Sequence, residues 1–296
     1  MYLDYKIAVV IPAYNEEKLI AHTLASIPDI FDHIIVVNDA STDRTAEILR
    51  REWTKRNPKF AFCEDWTNEL IGAAIATGFR TPVTKMILRE HEFNQGVGAA
   101  IATGYRTAMW CADITLVMAA DNQMHPADLD RLLEPIIKGE ADYAKGNRLS
   151  HAYAWSSMPR YRYFGGMALS ILTRIAAGYW DLWDSQCGYT AITGKALRCL
   201  NLNNIYPDYG VPNDLLIKLG MCGLRVKDVM VRPVYGIGET SGIRLKKVIP
   251  RISWLLFKGF WKRLFYRYVL HPLVRYYYAQ GFHFADLQGA PENIAR

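Results

Sequence analysis

The sequence predicts an α/β fold, a mostly parallel sheet flanked by helices, and two segments near its start indicate this most directly. Residues 9–17 and residues 36–43 each begin as an apolar, β-branched run and end in a polar loop that leads into a helix. Such runs are typical of buried parallel strands, whose carboxyl ends carry ligand chemistry. The chain of 296 residues is long enough for one large α/β domain with an appendage. We therefore expect a nucleotide-type site at residues 12–17 and 38–43.

Strands and helices alternate along the first half of the chain, as a parallel sheet requires. Apolar periodicity predicts strands at residues 7–11, 33–38, 86–89, 114–118 and 142–145, and helices at residues 17–27, 43–56 and 129–137. Pro28 closes the first helix, and Ala46, Leu49 and Trp53 share one face of the second. Pro126 suits the first turn before the third helix.

One ten-residue segment occurs twice. Residues 72–81 recur almost unchanged at residues 98–107. Two copies are too few for a solenoid, so we interpret the first copy as a local duplication that adds a surface helix.

The cysteines and the hydropathy pattern exclude several classes of protein. The cysteines are odd in number and contain no Cys-x-x-Cys pair, which argues against a disulfide framework or a zinc site and suits a reducing compartment: Cys63, Cys111, Cys187, Cys199 and Cys222. Residues 1–6 include Asp4 and lead directly into a strand, so we expect no signal peptide. No uncharged apolar stretch reaches about 18 residues, so we expect no simple transmembrane helix.

The charges divide the chain near Thr240. Residues 240–285 contain no Asp or Glu but nine Lys or Arg residues, while the remaining 26 basic residues are outnumbered by 29 acidic ones. We therefore predict a mildly acidic main domain at residues 1–240 and a basic, aromatic segment at residues 241–296.

The basic segment predicts amphipathic helices. From Pro250 onward, Arg251, Lys258 and Lys262 fall within a narrow arc of a helix, and apolar and aromatic residues fill most of the remainder. This pattern suits the plane of an anionic membrane surface, with Trp and Tyr at the level of the headgroups. Packing on the main domain is the second interpretation, and the two can coexist. Nucleic-acid binding ranks a distant third, so we expect no nucleic-acid partner.

A metal site is expected after the strand at residues 114–118. Asp121 lies where this strand ends in a loop, and a carboxylate at such a place can hold Mg²⁺ or Mn²⁺. The alternative is that Asp121 caps the following turn beside Pro126.

The segments IPAYNEE (residues 11–17) and VNDASTD (residues 37–43) resemble the opening of the family 2 inverting glycosyltransferases, which have the GT-A fold. Within this family the sequence is most similar to the dolichol-phosphate mannosyltransferase branch, over about residues 5–270. The resemblance implies a nucleotide pocket whose residues are Pro12, Ala13, Tyr14, Glu16 and Asp39. It assigns Asp39 to an N–H of the base; the alternative is a turn aspartate that binds nearby backbone amides.

The metal motif departs from the family pattern. The family usually has Asp-x-Asp-x-Gln, but Ala119 replaces the first Asp, so only Asp121 and Gln123 match. The resemblance therefore implies a metal held by these two residues together with the donor diphosphate.

Three further residues are candidates through the resemblance. Residues 145–148 and 184–189 are similar to segments that line the donor sugar and diphosphate, which makes Arg148 a phosphate ligand; a solvated arginine is the alternative. The glycine-punctuated loop at residues 235–244 ends in Arg244 and can close over a bound diphosphate. Residues 209–216 resemble the segment around the acceptor-activating carboxylate, here Asp214. Asp214 is then the base, or an orienting group where the acceptor is already an anion; the alternative is a helix N-cap.

The resemblance implies an enzyme that moves a hexose or N-acetylhexosamine from a UDP- or GDP-sugar to polyprenyl phosphate, with inversion. We expect it to be peripheral, at the cytoplasmic face of a membrane. One alternative is a glycan or protein acceptor. Another is a catalytically weak sugar-nucleotide-binding protein, which Ala119 and Pro212 suggest.

Overall fold

The computed structural model describes residues 4–56, 86–235 and 245–270, with side chains from residue 248 in the last range. Within these ranges seven strands form one sheet. The strands are β1 (Ile7–Ala13), β2 (His33–Asn38), β3 (Met86–Glu90), β4 (Ile114–Val117), β5 (Tyr143–Asn147), β6 (Thr190–Thr193) and β7 (Val226–Met230). Their order is β3-β2-β1-β4-β6-β5-β7, and β6 is antiparallel to both of its neighbours. All other pairs are parallel, which confirms the predicted sheet.

Helices cover the two faces of the sheet. They are α1 (Ile20–Ser26), α2 (Thr45–Arg56), α3 (Val97–Ala108), α4 (Leu129–Ile137), α5 (Ala154–Ser157), α6 (Arg160–Ala177), α7 (Gly194–Cys199), α8 (Val211–Met221) and α9 (Leu245–Phe265). Short 3₁₀ turns at Pro126–Asp128 and Leu202–Asn204 precede α4 and α8, and a π-helical turn at Tyr266–Leu270 follows α9. No helix in the described part of the chain is long and apolar enough to cross a membrane.

The predicted elements agree with the structure to within a few residues. The largest difference concerns α1, which begins at Ile20 rather than at residue 17. The preceding residues form a turn in which the carbonyl of Glu16 accepts the amides of Leu19 and Ile20. The second copy of the repeat forms most of α3, whereas the first copy lies outside the described residues.

The core has one layer on each face of the sheet because side chains alternate along the strands. On β1, Val10 faces the layer beneath α3, and Val9 faces the opposite layer. Gly104 lets α3 approach β1 closely, since a β-carbon there would lie 2.2 Å from a methyl group of Val10. All six residues of β2 are buried, as expected for a strand covered on both faces.

The described part of the basic segment packs on the main domain. Ile252 and Leu256 on α9 are buried, and Gly259 allows contact with Ile217 of α8. Arg263 donates from Nε to the carbonyl of Ala176 at the end of α6, at 2.8 Å. The packing interpretation therefore holds for one face of α9, while the other face is exposed. The predicted boundary near Thr240 lies outside the described residues and stays a prediction.

This topology concentrates polar loops at one edge. Because β6 alone is reversed, β1, β2, β3, β4, β5 and β7 all end at the same edge of the sheet. The loops that follow these strands, and the loop that leads into β6, therefore lie together there. This is the edge at which open α/β sheets bind ligands.

Candidate active site

The two opening loops are joined into one unit at the carboxyl edge of the sheet. The amide of Asn15 donates to Ser41 Oγ at 3.1 Å, and its side-chain oxygen accepts the amide of Thr42 at 2.8 Å. The amide of Glu16 donates to Thr45 Oγ1 at 2.8 Å. Residues 12–17 and 38–43 therefore come together, as the sequence predicts.

Both loops use left-handed backbone to make this contact. Asn15 has φ of 55° and Ala40 has φ of 56°. Asn tolerates this region, but for alanine it costs about 1 kcal/mol because the β-carbon crowds the backbone. The contacts between the two loops therefore hold Ala40 in this unfavourable conformation.

The predicted nucleotide residues at the end of β1 differ in their access to a ligand. Ala13 is buried, and its carbonyl accepts the amide of Asp39 at 2.9 Å. Pro12 is half-buried, in register with Val37 of β2. Tyr14 is exposed and projects from the loop. Tyr14 thus has the side chain most available to stack against a base or ribose.

Asp39 is 2% exposed, and the protein itself supplies several of its hydrogen-bond donors. Oδ1 accepts the amide of Gln95 at 2.9 Å and lies 2.7 Å from Nδ1 of His91; Oδ2 accepts the amide of Gly96 at 2.8 Å. The amides belong to a loop more than 50 residues further along the chain, so these contacts are not those of a turn aspartate that binds nearby amides. Asp39 therefore holds the loop that connects β3 to α3.

That loop in turn supports the segment before α8. Gly96 has φ of 93°, and a β-carbon on it would lie 2.4 Å from the carbonyl oxygen of Pro207. A β-carbon on Gly98 would lie 2.0 Å from the carbonyl oxygen of Tyr206, and the amide of Gly98 donates to Pro207 at 2.8 Å. The backbones meet with no room for side chains. Asp39 and the segment at residues 206–208 are thus mechanically connected.

Acidic side chains gather beside the opening loops. Burial, followed by the negative charges of Asp121 and Asp43, raises the pKa of Glu16 to about 7. Tyr209 also lies within electrostatic range of Glu16, from the segment before α8. An acidic cluster of this kind favours a cation, because a positive charge relieves the repulsion among carboxylates.

Asp121 and Gln123 lie together in the loop after β4. Oδ1 of Asp121 accepts the amide of Gln123 at 3.1 Å, and Nε2 of Gln123 is buried without a hydrogen-bond partner. In the described ranges no three His, Cys, Asp or Glu side chains converge as a ready-made metal site. One carboxylate and one amide nevertheless fit Mg²⁺, which commonly takes the rest of its ligands from water and substrate phosphates. Ala119 stands where the resemblance places the first Asp of the metal motif, and its backbone amide donates to the sulfur of Met124 at 3.2 Å.

Arg148 is engaged by a buried carboxylate rather than by solvent. Its Nε and one terminal nitrogen donate to the two oxygens of Asp184, at 2.8 and 3.2 Å. Asp184 is 1% exposed, and the other terminal nitrogen of Arg148 donates to the hydroxyl of Tyr235 at 3.4 Å. The solvated-arginine interpretation is wrong. Arg148 joins β5, the segment before β6 and the start of the loop that leads to Arg244, which itself lies outside the described residues.

A second, half-buried carboxylate lies beside this pair, and it is not among the residues predicted from the sequence. Oδ2 of Asp228 accepts the side-chain amide of Asn147 at 3.0 Å and the backbone amide of Trp183 at 2.5 Å. Burial, with a contribution from the charge of Asp184, raises the pKa of Asp228 to about 7. Lys145 is fully buried and donates to the carbonyl of Cys187 at 2.5 Å. Lys145 and Asn147 alternate with apolar or small residues in β5, and this alternation is the sequence signal for the network.

Asp214 is not the N-cap of α8. Gly210 occupies the N-cap position, and Asp214 lies in the first turn of the helix, where it is 9% exposed. Its Oδ2 accepts the amide of Tyr206 at 2.8 Å and pairs with Lys218. The capping interpretation is therefore wrong. Asp214 fixes the same segment, residues 206–208, that the Asp39 loop supports from the other side.

Comparison with known proteins gives a consistent result. The family profile described as glycosyl transferase family 2 matches residues 8–88 and 82–200. A UDP-N-acetylglucosamine–dolichyl-phosphate N-acetylglucosaminyltransferase from Methanococcus voltae is 30% identical over 234 residues, which cover 78% of this chain and 87% of that protein. An uncharacterized protein from Methanocaldococcus jannaschii is 28% identical over 262 residues, which cover 88% of this chain and 93% of that protein.

Solved structures agree on the fold. Glucosyl-3-phosphoglycerate synthase from Mycobacterium tuberculosis, in complex with phosphoglyceric acid, matches with a TM-score of 0.57 at 21% identity, over 88% of this chain and 80% of that one. The same enzyme in complex with Mn²⁺, UDP and glucosyl-3-phosphoglycerate matches with a TM-score of 0.55 over the same shares. The predicted GT-A fold is thereby confirmed, and with the family match it leads to one conclusion. The chain belongs to glycosyltransferase family 2.

Proposed function

We propose that this glycosyltransferase moves a hexose or N-acetylhexosamine from a nucleotide-diphosphate sugar to a polyprenyl phosphate, with inversion at the anomeric carbon. The observation that carries the proposal is the joining of the two opening loops at the carboxyl edge of the sheet, where Glu16 lies within electrostatic range of Asp121 and Asp43. The name of the relative from Methanococcus voltae supports the class of acceptor and makes UDP-N-acetylglucosamine the first donor to test.

The donor nucleotide occupies the edge at residues 12–17 and 38–43. Pro12, Ala13 and Glu16 form the wall of this pocket, and the exposed ring of Tyr14 packs on the base or ribose. Asp39 contributes in two ways: it accepts from the base N–H through its remaining lone pair, and it fixes the loop that carries Gly96.

Asp121 and the amide oxygen of Gln123 would hold Mg²⁺ or Mn²⁺ together with the donor diphosphate. When bound, the metal neutralises the charge that develops on the departing diphosphate. Nε2 of Gln123, which is buried without a partner, supports a diphosphate oxygen beside this residue, because an N–H donor pairs with an acceptor rather than with a cation.

Arg148 orders the phosphate side of the pocket. Its bidentate pair with Asp184 fixes the guanidinium, and two of its N–H groups remain for a phosphate oxygen. Through Tyr235 it also positions the loop toward Arg244, which would close on the diphosphate.

The acceptor phosphate attacks from the side of residues 206–214. One of its oxygens forms a bond to the anomeric carbon while the bond from that carbon to the nucleoside diphosphate breaks, and this single displacement inverts the centre. A phosphate monoester is already an anion, so no proton has to be removed. Asp214 therefore acts as an orienting carboxylate that holds Tyr206 and its neighbours in place. With a hydroxyl acceptor, it would instead act as a base.

Peripheral attachment at the cytoplasmic face completes the proposal. The four cysteines among the described residues are free thiols, which suits a reducing compartment. The exposed aromatic face of α9 supports contact with an anionic membrane surface.

Transfer of a radiolabelled sugar tests the proposal. The protein is incubated with UDP- or GDP-sugars, polyprenyl phosphate and Mn²⁺, and the organic and aqueous phases are counted. Label in the organic phase supports the proposal, and product confined to water indicates a glycan or protein acceptor. Donor binding without turnover indicates the sugar-nucleotide-binding alternative that Ala119 suggests. Full metal-dependent activity in Asp121→Ala would contradict the metal assignment, and Asp130→Ala, on the exposed side of α4, is the matched control.

A further inference from the structure

Helix α6 has its apolar side in solvent. Its exposed large residues lie on one face of the helix, and we call them the α6 stripe: Tyr161, Phe164, Ile171, Leu172 and Ile175. The buried positions of the same helix are small or polar, namely Ser170, Thr173, Ala176 and Ala177. A helix on a water-exposed surface shows the opposite arrangement.

Helix α9 shows a similar arrangement on its outer face. The exposed aromatic residues of α9 and of the π-helical turn after it also follow helical spacing, and we call them the α9 stripe: Trp254, Phe257, Trp261, Phe265 and Tyr268. The rings of Trp254 and Phe257 stack with centroids 5.7 Å apart. Several large apolar side chains exposed next to one another on a folded protein mark a contact surface.

The two helices are fixed to each other. Arg263 of α9 donates to the carbonyls of Ala176 and Ile175 at the end of α6, at 2.8 and 3.1 Å. Gly178 makes room for this contact, since a β-carbon there would lie 2.5 Å from the guanidinium of Arg263. The two helices are therefore held in one fixed arrangement, and we call the two stripes together the platform.

The charge of the platform selects its partner. Neither Arg160–Ala177 nor residues 245–270 contain an Asp or Glu, whereas Arg160, Arg251, Lys258, Lys262 and Arg267 are exposed basic residues. A second copy of the chain would bring these like charges face to face. Anionic lipid headgroups would instead pair with them, while Trp and Tyr lie at the level of the headgroups.

We propose that α6 and α9 together seat the enzyme in the surface of an anionic bilayer, so that a helix of the main domain contacts lipid as well as the basic segment. The inference rests on the proposed function, because a polyprenyl acceptor is itself held in a bilayer. The platform also connects to the candidate site. Thr173 of α6 donates to Asn213 of α8 at 2.8 Å, and Ser170 accepts the amide of Ser185 at 2.9 Å. Bilayer contact at α6 thus brings the lipid beside residues 184–187 and 213–214.

Vesicle binding by the full chain tests the platform. We expect Ile171→Glu combined with Leu172→Glu to lower partition onto phosphatidylcholine–phosphatidylglycerol vesicles about tenfold or more, because two anionic groups would enter the interface. Trp110→Glu is the matched control: Trp110 is 63% exposed, at the end of α3, and its variant should bind as the wild type does. Phe257→Glu tests the α9 stripe separately, and Lys258→Glu with Lys262→Glu should reduce binding only where phosphatidylglycerol is present.

The outcomes are separable. Wild-type binding by the Ile171→Glu/Leu172→Glu variant would overturn the proposal. A defined dimer in lipid-free solution, dissociated by the same substitutions, would overturn it as well, because the platform would then be a self-interface. UDP binding, measured for each variant, verifies that the pocket is intact. Failure of the wild type to glycosylate polyprenyl phosphate in detergent would contradict the proposed function. Even then, loss of vesicle binding in the Ile171→Glu/Leu172→Glu variant would still support the platform.

Discussion

Replacing Asp39 by Asn is the sharpest test of how the donor pocket is built. The substitution keeps the shape of the side chain but turns one carboxylate oxygen into an NH₂ group. That group would face an N–H donor of Gln95, Gly96 or His91. At least one charge-assisted hydrogen bond is lost, and a buried donor is left without an acceptor. We expect a loss of about 3 kcal/mol in the free energy of unfolding, because such bonds contribute about 2 kcal/mol each and an orphaned donor adds a further cost.

Thermal unfolding and UDP titration are measured on the same preparations. A loss of this size should lower the melting temperature by roughly 6 °C or more. Affinity for UDP should fall in parallel, because the loop at residues 91–96 moves with the lost contacts. Glu47→Gln is the control, since it removes an exposed carboxylate of α2 that pairs only at the surface, and it should leave both quantities unchanged.

The two measurements separate the two roles of Asp39. An unchanged melting temperature with weaker UDP binding would refute the positioning role and leave direct contact with the base as its sole contribution. A lower melting temperature with unchanged UDP affinity would mean that the loop is structural and does not form part of the pocket.

Three other predictions follow from strained or buried groups. Ala40→Gly should raise stability by about 0.5–1 kcal/mol, because glycine adopts φ of 56° without a clash; a lower urea midpoint would contradict this. Asp228 has a pKa of about 7 when folded, above its usual value, so its contribution is present at low pH and is lost as pH rises through 7. Between about pH 5 and about pH 8, the free energy of unfolding of the wild type should therefore fall by about 2–3 kcal/mol relative to that of Asp228→Asn. A difference between the two proteins that does not change with pH would contradict this prediction. Affinity for Mn²⁺ should rise as pH increases through about 7, because the proton on Glu16 competes with the metal; calorimetry on Glu16→Gln should give a flatter profile.

The sequence predicts the first half of the fold well because burial there has a simple period. The sequence predicts strand β2 at residues 33–38, and these are its observed bounds, because four apolar residues stand between His33 and Asn38. The α6 helix was not predicted. Its exposed face is apolar and its buried face is small or polar, so the usual relation between hydropathy and burial is reversed.

The candidate site was only partly predictable for a related reason. The opening loops carry local signals, and the structure joins them as expected. The partners of Asp39, Arg148 and Asp214 lie elsewhere in the chain or in another element, and no local pattern specifies which donor reaches a carboxylate. The network around Asp228 is not predicted because Asp228 lies 81 residues from Asn147 and 45 from Trp183, and only the pairing of β5 with β7 and the segment before β6 bring the three together.

The contact between Gly98 and Tyr206 has a consequence for genetics. Position 98 belongs to the helix after the donor-side loop, yet any side chain there meets the backbone of the segment before α8. A Gly98→Ala protein should therefore lose acceptor-side function while its nucleotide pocket stays intact. Suppressors of this change should arise at residues 206–208, and the two regions are expected to vary together among relatives even though more than 100 residues separate them in the chain.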